Sequence, residues 1–134
     1  MTATSIAFIR NVCFSLLGLV LLSYAIAVLF TGQPDPVASY IPGLAGIIVA
    51  IIVTVISRSG HAKAAAIAWD ELTRKEWSHA LVAGYWVAIG LYPIFGVLLY
   101  LEMVVFSQSF AAMGTLSGAA PFLVFSRSWL KGRI

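Results

Sequence analysis

The chain gathers its charges into a few short clusters and leaves long apolar blocks between them. No Asp, Glu, Lys or Arg occurs from Val12 to Phe30, from Pro36 to Ser57, from Ala80 to Leu101, or from Phe110 to Ser126. These blocks are close to the ~20 residues that a helix needs to cross the ~30 Å hydrocarbon core of a bilayer. In lipid every backbone polar group must be satisfied within the protein, so only helices and closed barrels can span. Barrel strands alternate apolar and polar residues. Leu16 to Leu22 and Ile47 to Ile56 are near-continuous apolar runs instead, which selects helices.

Composition agrees. Hydrophobic residues make up 61% of the chain and charged residues 10%, against about 25% charged in soluble domains. A soluble globule of this size would lack polar cover. Disorder, which requires low hydrophobicity and high charge, is excluded as well.

The turns divide the chain into four spans. Thr31-Gly32-Gln33-Pro34-Asp35-Pro36 ends the first, because Gly and paired prolines break helices. Ala25-Ile26-Ala27 mimics a signal-cleavage site. The apolar run continues past it to Phe30, so the first helix is expected to be retained. Pro42 suits the first turn of the second span, and Gly43 and Gly46 permit close helix contact. Ser59-Gly60 marks a turn. From Ala62 an amphipathic helix is expected. It pairs Asp70 with Arg74 and Glu71 with Lys75 in the favourable acid-first order. Trp69, Leu72 and Trp77 lie on its opposite arc as interfacial docking residues, the tryptophans at headgroup depth. This helix is expected to run straight into the third span, where Pro93 predicts a kink. The following turn falls at Glu102 or at Ser107-Gln108-Ser109. The second is preferred and gives a long tilted helix.

The predicted fold is an all-α integral membrane four-helix bundle in one domain, residues 1–134. Its spans cover 12–30, 41–57, 80–106 and 109–126, with a cytoplasmic segment at 58–79. A four-pass path places Arg10, then Arg58, Lys63, Arg74 and Lys75, then Arg127, Lys131 and Arg133 on one side, which accounts for all eight basic residues. Basic residues favour the cytoplasmic side. Both termini are therefore expected in the cytoplasm and the protein in the cytoplasmic (inner) membrane. The two halves show no internal sequence repeat.

Few side chains carry chemistry. Cys13 is the single cysteine, which excludes an internal disulfide and any Cys-X-X-Cys centre. It reads as a small buried hydrophobe. The basic residues are too scattered for a nucleic-acid groove. Nucleophile-elbow, phosphate-loop, dinucleotide and zinc-helix patterns are absent. Asp70, Glu71 and Glu76 fit a solvated charged face rather than a metal site. No metal or cofactor is expected. Of His61 and His79, only His79 is placed as a haem or pigment ligand, and a solvated histidine is the simpler reading.

Glu102 lies about one helical turn inside the outer surface if the third span reaches Phe106. Intramembrane carboxylates often mark proton or cation paths, so Glu102 is a candidate for transport or charge pairing. An interfacial acid at a helix end is the simpler reading. Gly114, Ser117 and Gly118 form a small-xxx-small motif that serves either a subunit interface or packing within this bundle. Tyr85, Trp86, Tyr92, Phe95 and Tyr100 line the third span. They read as core packing ahead of a contact for a quinone, carotenoid or lipid tail. Small multidrug exporters are similar in length and span number, but they carry a glutamate inside the first helix, and this first helix has none.

The expected function is a non-enzymatic accessory or structural subunit of a larger membrane complex, or a homo-oligomer. Its partners would be the lipid bilayer and other membrane subunits or further copies. The alternative is a small oligomeric transporter or channel using Glu102.

Overall fold

The structure, a computed structural model of the chain, describes residues 2–36, 38–59 and 62–131. The described residues form helices and no strands: α1 (Ala3–Thr31), α2 (Ile41–Ser59), α3 (Ala62–Ala68), α4 (Glu71–Tyr100) and α5 (Phe106–Lys131). The four helices other than α3 are long and apolar enough to cross a membrane.

Helix α1 starts earlier than the charge pattern predicts. Thr2 caps it, its hydroxyl oxygen accepting from the Ser5 amide at 3.2 Å. Arg10 and Asn11 therefore lie inside the helix rather than ahead of it. The physical reason is the burial stripe. Ile6, Arg10, Phe14 and Leu17 recur every three or four residues and are all buried, so helical amphipathicity continues across the charge. At the far end, Gly32 adopts φ 67° and its amide bonds the Val28 carbonyl, a conformation that glycine reaches without strain.

Helices α1 and α5 pack along each other at the centre. Helix α4 lies against α5 and α2 against α1, while α2 and α4 scarcely touch. The bundle is thus an open row in the order α2, α1, α5, α4. Two glycines set its closest approaches. A β-carbon on Gly84 of α4 would stand 2.9 Å from Pro121 Cδ of α5. One on Gly18 of α1 would stand 2.9 Å from Leu123 Cδ2 and 3.2 Å from Phe122 Cβ. Tyr24, Val28, Phe95 and Ala112 form one apolar cluster. Phe14, Ala80 and Phe125 form another, with Trp69, Trp77 and Phe122 packed on it.

Three expectations change. First, α4 ends at Tyr100 and not at Phe106, and the turn is the one at Glu102. The Glu102 amide bonds the Leu99 carbonyl and the Met103 amide bonds the Leu98 carbonyl, which is a Schellman C-cap with Glu102 in the left-handed position. Ser107, Gln108 and Ser109 instead lie in the first turns of α5. Second, the 58–79 segment is not one helix running into the third span. Asp70 is extended (φ −60°, ψ 171°) and caps α4, accepting from the Thr73 amide at 2.8 Å. Asp70 and Arg74 thus share no helix, whereas Glu71 and Lys75 do. Third, the aromatic row does not pack in the core. Phe95 is buried, but Tyr85, Trp86, Tyr92 and Tyr100 are all exposed. Because α4 packs chiefly on one neighbour, a single stripe (Ala80, Gly84, Phe95) faces inward and the remaining circumference faces out.

Candidate functional site

Two places combine unusual chemistry with a defined position. The first is the corner where α3 meets α4 beside α1. Arg10 projects from α1 into it and is 3% exposed. Its Nε donates to the Asn11 amide oxygen at 3.2 Å, and Nη1 donates to the Ala68 carbonyl at 2.6 Å. The guanidinium carbon lies 4.5 Å from the centre of the Trp69 ring and 5.5 Å from that of Phe125. Those contacts are all with neutral groups. Removing a guanidinium from water costs several kcal/mol unless hydrogen bonds and ring faces replace the lost solvent. Arg fits this place because its planar fork can donate and stack at once.

Polar groups continue along α1 and α5 from the same corner. Ser15 Oγ lies 2.8 Å from the Asn11 carbonyl and 2.8 Å from Ser126 Oγ, and Ser126 donates to the Phe122 carbonyl. The middle of the α1–α5 interface is apolar, with Leu17, Ala25, Ala112 and Ala119 buried. At the other end Gln108, 5% exposed, donates to the Val28 carbonyl at 3.1 Å. It reaches into the last turn of α1 and gives the Val28 carbonyl a second donor beside the Gly32 amide.

The predicted docking residues divide at this corner. Trp69 and Trp77 are half-buried against Phe14, Ala80 and Phe125. Trp77 stacks edge-on against Phe125 at 5.5 Å and lies 5.1 Å from Phe14. Leu72 alone is exposed, at 66%. The two tryptophans are therefore turned inward rather than displayed.

The second place is an outward-facing groove of about 410 Å³ between α4 and α5. Tyr92, Phe95, Gly96, Phe106, Phe110 and Gly114 line it, with Ser109 and Ser117. A β-carbon on Gly96 or Gly114 would meet nothing within 4 Å. The small-residue motif is thus split. Gly118 faces α1, where a β-carbon would make an ordinary contact with Leu21 at 3.5 Å, whereas Gly114 opens into the groove. Ser117 lines the groove and spends its hydroxyl on the Met113 carbonyl at 2.6 Å.

Glu102 is exposed in the α4–α5 turn, outside both helices, with φ 56°. His79 is exposed one residue before the buried Ala80 and does not point into the bundle. His61, Gly60 and Arg133 lie outside the described residues. Among the described residues no group of three or more His, Cys, Asp or Glu is placed to hold a metal.

Sequence reasoning missed the Arg10 corner because it took the charge as the edge of the helix. The available signal was the spacing of Ile6, Arg10, Phe14 and Leu17. No family model matches the chain, and neither a curated protein nor a solved structure matches it.

Proposed function

We propose that this chain is a non-enzymatic accessory or structural subunit of the cytoplasmic membrane, working within a larger membrane complex or as a homo-oligomer. Both termini and the α2–α4 connection lie on the cytoplasmic side, following the basic residues. The observation that supports association is the open α4–α5 groove. Gly96 and Gly114 carry the helix-propensity penalty of glycine, and among the described residues no contact requires a glycine at either position. Small residues on an outward helix face allow another helix to approach closely.

Gly114→Leu tests this reading. The side chain would enter open space, so the single chain should keep its helix content and thermal stability. Its assembly with other copies or subunits should weaken, as read by cross-linking in native membranes. Undiminished cross-linking would contradict the reading.

A further inference from the structure

We propose that α3 is a strap with a docked and a released position, and that Arg10 is the latch that holds it docked. The proposal deepens the docking role expected of the 58–79 segment and rests on that reading for what the released strap would contact.

The hinge is Asp70. Its extended backbone separates the two helices, and its side chain completes the first turn of α4 through the Thr73 amide. The start of α4 therefore does not depend on α3. Trp69 belongs to the last turn of α3, its amide bonding the Ala65 carbonyl at 3.0 Å. Ala62 to Trp69 can thus part from α1 without unwinding the first turn of α4.

The latch acts at the C-terminal end of that body. Ala68 is buried, and its carbonyl receives Arg10 Nη1. Trp69 lies across the guanidinium face. A cation at a helix C-terminus interacts favourably with the free carbonyls and the helix dipole. Along the strap Lys63, Ala66 and Ile67 are exposed, while Ala64 and Ala65 are half-buried. A seven-residue helix is far below the ~12–15 residues that hold a helix in water without tertiary support. Its order accordingly depends on where it docks, and among the described residues Arg10 supplies a side-chain hydrogen bond that ties the strap to α1. Release would display Trp69, turning an inward residue into part of the expected docking face. The docked state hides that face.

Amide hydrogen exchange of the full chain in nanodiscs tests the latch. In Arg10→Gln, the helix-bonded amides of the strap, those of 66–69, should exchange about ten- to a hundredfold faster, the effect of losing a hydrogen bond to a charged group. Amides of α1, α4 and α5 should be unchanged. Arg10→Lys should lie between, because it keeps the charge and a donor but loses the planar face. Unchanged protection in 66–69 overturns the latch. So does loosening shared equally by α1, α4 and α5, which would make Arg10 a general core residue. Should Arg10→Gln fail to fold, Trp69→Ala removes the ring from the strap side. Selective acceleration in 66–68 then supports the latch, and unchanged protection overturns it. None of these readouts involves a partner, so loss of the docking reading would leave them intact.

Discussion

Glu102 sits at φ 56°, where the β-carbon of an L-residue crowds the following carbonyl at about 1–2 kcal/mol. The Schellman cap requires that conformation of whichever residue stands there. Glu102→Gly should therefore raise stability by roughly 0.5–1 kcal/mol, after allowing for glycine's greater freedom when unfolded. Glu102→Gln should change little, because the strain belongs to the backbone and not to the charge. Thermal unfolding in detergent followed by circular dichroism separates the two; equal stability in the Gly and Gln variants would contradict the assignment. Asp70 offers a pH-dependent counterpart. The Thr73 amide, donating to its carboxylate, holds the Asp70 pKa below the usual value. The cap is thus fully present above the usual carboxylate range and is lost as pH falls through the lowered Asp70 value. Asp70→Ala should lose about 1 kcal/mol at neutral pH. Asp70→Asn should keep the cap and flatten the acid dependence. An acid titration of helix content in which the Asn variant follows the parent would refute that role. Glu102 was legible in the sequence as one of two possible turns. Its backbone conformation was not, since nothing about a glutamate announces a left-handed position.

The helices show where pattern is informative and where contact is needed. Four spans were readable because hydrocarbon length and charge exclusion act on blocks of ~20 residues. The end of α4 was misplaced because Met103 to Phe106 is apolar and hydropathy cannot register a C-cap. The aromatic side chains of α4 were assigned inward because aromatic residues usually bury. An edge helix with one principal neighbour leaves most of its circumference to lipid. Glycines divide on the same principle. Gly114 stood out by its spacing, yet the tight approaches occur at Gly18 and Gly84, neither of which has a second glycine four residues away. Gly84→Ala forces a β-carbon against the rigid Pro121 ring at 2.9 Å and should destabilise the chain by about 1–3 kcal/mol. Gly114→Ala meets open space and should be neutral or stabilising by up to ~1 kcal/mol. Denaturation of both variants in mixed micelles gives the comparison, and equal effects would mean that the α4–α5 approach is looser than described.

For the whole molecule, the row of helices is the feature from which the functional proposal follows. Helix α2 at one edge and α4 at the other bury little surface in the chain itself: none of the most apolar window of α2 is buried and 11% of that of α4 is. The central pair α1 and α5 is apolar through its middle, and the polar groups collect at its two ends. Such a molecule gathers its buried polar groups at those ends, and its groove opens outward between α4 and α5. In the proposed assembly a further helix would cover that groove. Native mass spectrometry of the unmodified protein, released from nanodiscs or mild detergent, tests this most directly. The expected masses are multiples of the 14.4 kDa chain, or that mass joined to co-purifying membrane subunits. A stable 14.4 kDa species carrying only lipid would contradict it.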